Sequence, residues 1–486
     1  MCGGSSAVGR ASGLAKAGRD DSTIGRTPAA RRSAERGIEL AHRTEALLTD
    51  ADSRHCYLLE SAEDRQQWGR YSFLGYAPSM EITCTGGVLT VTEGKEEEEK
   101  KRKTFHVDHP GEVIRKILED YRSPAVEGLP PFTGGLVGYF AYDYIRYAEP
   151  SLEALIRASG EGQEFRDVDL MLFDKVIVFD NYRQKLILIA GVSLTGDLEE
   201  NCRRAERELD EMERLIRSRA KADFRPLVLK EDFRPAKEKE EYAAMVECAK
   251  EYIREGDIFQ VVLSNPMTAE AEGSLFDTYR VLRTTNPSPY MFYFSSDDIE
   301  AAGASPETLA KMAGGRLFTF PLAGTRPRGK TKEEDQALEE ELLSDEKELA
   351  EHNMLVDLGR NDLGKISIPG TVHVEKYMGI ERFSHVMHIG STVSGRTETV
   401  WMWWMRSSRL EPSRERRRSG HVGSLRSWRE ENGEFTEVRS VILTLPGTST
   451  PVFPYGWHTK RTGACACSPE RASWRTACRK KNLKSA

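Results

Sequence analysis

Eight polar side chains in the second half of the chain are of types that do chemistry: Gln260, Glu307, Thr325, Arg326, Glu348, Glu351, His352 and His388. Carboxylates of this kind can protonate a leaving group or bind a hard cation. A histidine among them can hydrogen-bond or carry charge near neutrality. Spacing alone does not say that they converge. Glutamates on a charged helix are usually solvated, and His388, set between apolar residues, reads equally well as a satisfied core histidine. Cys465 and Cys467 form a C-x-C with Cys478 nearby, but no suitable histidine follows and the spacing is poor for a metal knuckle.

These residues need a scaffold, and the hydrophobic pattern supplies one. Residues 1–45 are polar and rich in Arg and Ala, which suggests a frayed or partly helical leader. From Cys56, the runs CYLLES, GRYSFLGY and MEITCTGGVLTVTEG alternate with the period of strands. EEEEKKRK at 96–103 reads as a solvated hairpin loop. The run VDLMLFDKVIVFDNYRQKLILIAGV reads as two strands around an Asp-Asn turn, and a charged helix over about 198–222 follows. After a linker, EYAAMVECAKEYIREGD predicts a helix ending at Gly256, IFQVVLSNPMTAEA a strand, and SLFDTYRVLRTTNP a helix stopped by Asn-Pro. Further strands follow, then a long Glu-rich helical region over 331–359, then ISIPGTVHVEKY and HVMHIGSTVSG as strands. Segregated strands and helices predict an α+β fold with large antiparallel sheets and flanking helices. Neither a G-x-G-x-x-G after a strand nor a Walker loop is present.

Composition narrows the class. The net charge of −7 implies no domain-wide basic face, which argues against nucleic acid as a partner. No apolar run of about 18 residues exists to span a membrane, and the N-terminus lacks the apolar core of a secretory signal. Eight scattered cysteines do not make a disulfide framework, so a reducing cytoplasm is expected.

Six motifs occur in a fixed order: GDIFQVVLS (256–264), NPSPYMFY (286–293), GASPETL (303–309), PLAGTRPRG (321–329), DEKELAEHNMLVDLGRNDLG (345–364) and HVMHIGSTVSG (385–395). Together they resemble the chorismate-utilising enzymes, and within them the anthranilate synthase component I branch, from about Cys56 to Arg396. The resemblance implies a chorismate-binding fold and conversion of chorismate plus ammonia to anthranilate and pyruvate, the first committed step of tryptophan biosynthesis. It implies Mg²⁺ held by Glu351, a general acid at Glu307, orienting help from His388, and substrate contacts at Ala323, Gly324 and Thr325. An acid at Glu307 must stay protonated near neutrality, so burial is expected to raise its pKa. Relatives that add water carry a lysine where this chain has Gln260, and aminodeoxychorismate synthases often carry a lysine nucleophile where it has Ala323. Gln260 with Ala323 therefore favours ammonia addition. Aminodeoxychorismate or aminodeoxyisochorismate synthase is the alternative enzyme; a non-catalytic remnant that binds tryptophan or a partner is the alternative class.

LLES (58–61) and NPSPYM (286–291) resemble the two halves of the family's tryptophan feedback pocket. Glu60 and Ser61 are expected to hold the amino acid's polar end, and Pro289, Tyr290 and Met291 to line the indole. No part of the chain resembles a class I amidotransferase, so a separate glutamine amidotransferase subunit is expected as partner. The division that follows is a leader at 1–45, an N-terminal regulatory domain at 46–225, a partial catalytic domain at 226–396 and an aberrant tail at 397–486.

After Arg396 the resemblance stops. Six of the seven tryptophans lie beyond residue 400, beside the cluster SRERRRSGH, which is not how a packed core is written. Trp and Met each have one codon, so the DNA under residues 401–405 is forced. Read from the third base of the Val400 codon, it gives Leu, Met or Val followed by D-V-V-D. Shifted readings of 437–458 and 466–483 permit segments like the family's C-terminal motifs, which points to a frame shift. In the family, that segment carries a P-A-G-T…G-A-P-K run, an arginine that grips a substrate carboxylate, a glycine-rich turn and a second Mg²⁺ glutamate. Without it, the catalytic sheet is expected to keep an unpaired apolar edge.

Overall fold

The computed structural model describes residues 26–33, 55–61, 69–94, 101–147, 165–218, 226–257 and 261–397, apart from positions 122, 124–125, 262, 264, 298, 307, 309, 314 and 384, and then the segments 438–444, 449–452, 458–461 and 464–467. The strands, in chain order, are β1 (Arg26–Ser33), β2 (Cys56–Glu60), β3 (Tyr71–Tyr76), β4 (Met80–Thr85), β5 (Val88–Glu93), β6 (Lys101–His106), β7 (Gly135–Ala141), β8 (Val168–Phe173), β9 (Lys175–Asp180), β10 (Lys185–Ser193), β11 (Val228–Leu229), β12 (Arg234–Pro235), β13 (Met267–Glu272), β14 (Tyr290–Ser295), β15 (Ile299–Ser305), β16 (Lys311–Ala313), β17 (Arg316–Thr319), β18 (Leu322–Pro327), β19 (His373–Arg382), β20 (Val386–Arg396), β21 (Val438–Thr444), β22 (Ser449–Val452), β23 (His458–Arg461) and β24 (Ala464–Cys467). The helices are α1 (Pro110–Asp120), α2 (Leu198–Ser218), α3 (Lys239–Glu255), α4 (Phe276–Thr285), α5 (Lys332–Ser344) and α6 (Glu346–Gly364).

The strands form two large antiparallel sheets. One runs β1-β10-β9-β3-β2-β14-β15-β23-β24-β13-β11, with β12 on β13; the other runs β18-β20-β17-β16-β22-β21-β7-β8-β4-β5-β6, with β19 on β20. The α+β expectation holds. Both sheets draw strands from either side of residue 225, so that position divides the chain but not the sheets.

Side-chain alternation explains the layering. On β9, Val176 and Val178 point between the sheets, where they meet Tyr57, Phe173 and Phe292. Ile177 and Phe179 point the other way, onto the apolar faces of α2 and α4. On β8, Met171 enters the inter-sheet layer, while Leu170 and Leu172 pack outward with Ile114 and Leu118 of α1. A strand covered on both faces reads as a continuous apolar run, and this is why β8 and β9 merge in the sequence. The run expected to be two strands is three. β8 belongs to the second sheet and β9 to the first, with the single residue Asp174 between them.

Three other expectations are corrected. Within the leader, Arg26–Ser33 is a strand paired with β10 rather than frayed or helical. The helical region at 331–359 is two helices broken at Asp345, whose carboxylate caps the second by accepting from the amides of Lys347 and Glu348. Among the described residues, neither sheet keeps an open gap. β21 and β22 fill the space between β7 and β16, and β23 and β24 fill that between β15 and β13. The tail lacks long periodicity, but short runs such as VRSVILT are β-branched enough for a strand. No helix among the described residues is long and apolar enough to cross a membrane.

Candidate active site

The sequence PLAGTRP forms β18 with an irregularity at its centre. Ala323 pairs with Ile389 and Thr325 with His388, leaving Gly324 as the extra residue of a β-bulge. Gly324 has φ +77°, a conformation that favours glycine. A Cβ built there lies 3.1 Å from Ile389 Cδ1, 3.2 Å from Leu342 Cδ1 and 3.3 Å from Glu348 Oε2. The bulge thus serves two ends: it turns Thr325 into register with His388, and it lets the carboxylate of Glu348 come close to the backbone.

His388 sits on β20 beside this bulge. Its Nδ1 lies 3.1 Å from the Gly324 carbonyl oxygen and 3.0 Å from Thr325 Oγ1. A carbonyl only accepts, so Nδ1 carries a proton and donates it to Gly324. Phe383 tilts against the ring, with centroids 5.6 Å apart.

Helix α6 packs across β18 and β20 and brings its own polar residues. Glu348 and Glu351 stand three residues apart on one helical face. Hard oxygen donors in that arrangement suit Mg²⁺. His352 is fully buried, and its Nε2 lies 2.7 Å from Ser391 Oγ on β20, which in turn accepts from the Met378 amide at 3.0 Å. Burial holds the His352 pKa down at about 4, so the ring is neutral and acts in packing. Arg326 ties the end of β18 to this helix. Its Nε donates to Glu341 and its Nη2 to the capping carboxylate of Asp345, each at 2.9 Å.

The structure therefore brings Ala323, Gly324, Thr325, His388 and Glu348 into one neighbourhood, with Glu351 one helical turn along α6 from Glu348. Gln260 and Glu307 lie outside the described residues, so the expected raised pKa of Glu307 does too. Thr308, the next residue in the sequence, donates to the Tyr290 hydroxyl at 2.6 Å.

A second cluster forms where β2 meets β14. Glu60 is opposite Met291 in register, so LLES and NPSPYM lie on adjacent strands. Met291 and Pro289 are buried, and Tyr290 is half-buried. The Glu60 carboxylate is only 8% exposed and is held by the chain itself. Tyr279 donates to it at 2.7 Å, Ser72 at 3.2 Å, and the Arg283 guanidinium lies 3.0 Å away. Burial first, and the Glu60 charge second, keep the Tyr279 phenol well above its ordinary pKa. Glu60, expected to meet a ligand, is thus engaged internally. Ser61 Oγ next to it is buried without a hydrogen-bond partner. Tyr279 and Arg283 were not singled out by the sequence reading, although their i, i+4 spacing on α4 puts them on one face.

The profile described as chorismate binding enzyme matches residues 54–407. Anthranilate synthase component 1 of Acinetobacter calcoaceticus is 43% identical over 357 residues, covering 71% of this chain and 69% of that protein. The protein of the same name from Aquifex aeolicus is 41% identical over 342 residues, covering 70% and 67%. Among solved structures, anthranilate synthase component I from Streptococcus pneumoniae superposes with a TM-score of 0.63 at 29% identity, covering 82% of this chain and 86% of that one. The isochorismate synthase MenF of Escherichia coli shares the fold at a TM-score of 0.62 with 14% identity, covering 92% and 88%. With its ordered motifs, its two-sheet fold and these relatives, the chain belongs to the chorismate-binding enzymes, in the branch of anthranilate synthase component 1.

Proposed function

We propose that this polypeptide is the large subunit for conversion of chorismate and ammonia to anthranilate and pyruvate. The observation that carries the reading is the Gly324 bulge, with His388 locked against it and the Glu348–Glu351 face of α6 alongside. Chorismate is a dicarboxylate whose C4 hydroxyl leaves poorly. Mg²⁺, when bound, supplies positive charge to the ring carboxylate, and Glu351 with Glu348 beside it would hold the ion. Glu307 donates the proton with which the C4 hydroxyl departs as water, while ammonia adds at C2. Loss of the C2 proton and of the enolpyruvyl group as pyruvate then makes the ring aromatic. His388, its proton directed at Gly324 and Thr325, orients the substrate, whose oxygens contact Thr325 and the backbone at Gly324. Gln260 and Ala323 provide neither a base for water nor a nucleophile, which leaves ammonia as the attacking group.

Two features complete the proposal. Tryptophan acts as feedback inhibitor in the pocket at Ser61, Pro289, Tyr290 and Met291; the orphaned Ser61 hydroxyl supports this reading. A separate glutamine amidotransferase supplies the ammonia, and glutamine-dependent turnover by the large subunit alone would contradict that. The family match ends at residue 407, short of the segment expected to hold the carboxylate-gripping arginine and the second metal glutamate. The chain as written therefore makes no detectable anthranilate, whereas a version with its reading frame restored after residue 396 does. Anthranilate fluorescence with ammonia and Mg²⁺ tests both. Equal activity in the two versions refutes the frame-shift reading, and no activity in the restored version refutes the assigned reaction.

A further inference from the structure

Three residues from separate segments converge away from both clusters described above. His55 immediately precedes β2, Glu81 is on β4, and Asp297 lies in the tight turn between β14 and β15. The His55 Nε2 is 3.0 Å from Glu81 Oε1 and 2.9 Å from Asp297 Oδ1, and the three ligand atoms lie within 4.8 Å of one another. Glu60 is at the other end of β2, about 17 Å along the strand, so this is a separate location.

The placement is a consequence of register. β2 and β14 are antiparallel, with Cys56 opposite Ser295, so the residue before β2 must lie near the turn after β14. Glu81 comes from the other sheet. The cluster therefore ties the two layers together at one end of β2 and β14.

We infer that His55, Glu81 and Asp297 form a binding site for a first-row divalent metal ion of the zinc class. One imidazole and two carboxylates make a three-ligand set that such ions accept, with a further position for water. Imidazole as a ligand disfavours Mg²⁺, which separates this site from the Glu348–Glu351 face. Tetrahedral zinc with these donors needs ligand atoms about 3.3 Å apart, so the two His55 contacts, at 3.0 and 2.9 Å, open by only a few tenths of an ångström to admit it. Glu81 and His55 are mostly covered, with side chains 19% and 17% exposed, whereas Asp297 at 57% gives an entry path from solvent. Two carboxylates already close together gain more from a dication than from water. A metal here braces one sheet against the other and touches no group proposed for chorismate.

The test is zinc uptake by the full-length, chelator-treated protein, measured against a chromophoric zinc indicator, together with thermal melting. The expected result is one zinc bound per chain at micromolar or lower concentration, and a rise in Tm of about 5 °C at saturation. His55→Gln, Glu81→Gln and Asp297→Asn each weaken that equivalent at least tenfold and abolish the Tm shift. A Cys465→Ser/Cys467→Ser double variant retains both. If His55→Gln or Glu81→Gln fails to fold, Asp297→Asn carries the test, since its exposed side chain is dispensable for packing. The inference is overturned if the wild-type chain binds no zinc, if all three variants bind it as the wild type does, or if only the cysteine variant loses it.

Discussion

Around Gly324, a bulge without a side chain brings the backbone up to the space that the Glu348 carboxylate occupies between β18, β20 and α6. Around Glu60, the corresponding space is closed by Tyr279, Ser72 and Arg283. Both regions place a carboxylate near a strand. At Gly324 the glutamate approaches backbone, which the absence of a side chain allows. At Glu60 the glutamate is neutralised within the chain, and the polar atom left over is its neighbour Ser61. The difference teaches that a buried charge already paired is a poor recognition element, because a ligand must displace a partner to use it. An orphaned hydroxyl beside it, or a glycine cradle, invites one.

The sharpest way to break this comparison is to fill the space at Ser61. In a frame-restored chain, Ser61→Arg is expected to remove all measurable tryptophan binding by calorimetry while ammonia-dependent turnover persists. Unchanged affinity would remove the pocket from this location. Next in size is Gly324→Val, which puts a branched side chain at a positive φ and against Ile389, Leu342 and Glu348. Displacing Thr325 and His388 by even about 1 Å is expected to cost roughly 100-fold in anthranilate formation. Near-normal kcat/KM in this variant would show that the bulge does not position the reaction.

Smaller effects sharpen the contrast between paired and unpaired carboxylates. Arg283→Met leaves Glu60 buried with Tyr279 and Ser72 alone. The expected loss is about 2 kcal/mol in denaturant unfolding, below the roughly 3–5 kcal/mol of a wholly buried pair because Arg283 is half-exposed. A change under about 0.5 kcal/mol would mean that the network closes the pocket without holding the fold. The last contrast is with an ion pair just past the end of β18. The Arg328 guanidinium beside Asp335 holds its carboxyl down at about 2. A depressed folded pKa gives stability that is present above the unfolded value near 4 and is lost as pH falls toward 2. Asp335→Asn should therefore melt below the wild type at pH 6, with the gap closing between pH 4 and pH 2. A gap independent of pH would contradict that pairing.

The parts of the fold that were legible in the sequence are those decided locally. Helix α3 ends where Gly256 adopts φ +78°, and the alternation in MEITCT and VLTVTE gives β4 and β5 directly. The sheet order was not legible, because β8 and β9 look alike in sequence and differ only in which layer each joins. The same holds for the sites. Thr325 and His388 were placed through motif order, and their shared register explains why both types occur there. The Glu60 partners were not legible, since Tyr279 is 219 residues away and reaches Glu60 only after β2 and β14 have paired. Glu348 was named but given no role, although its i, i+3 relation to Glu351 was the available signal.

The insertion of β21 beside β7 has a consequence for how the molecule is made. These neighbours are separated by about 300 residues of chain, so β7 of the second sheet waits for a partner made that much later. At ribosomal speeds of about 5–20 residues per second, the open interval is roughly 15–60 s. During that time the nascent chain presents the bare edge of GLVGYFA, wholly apolar and rich in glycine. Until β21 is made, that edge is the part of the nascent chain most open to pairing with another strand, which is where an aggregation hazard is expected.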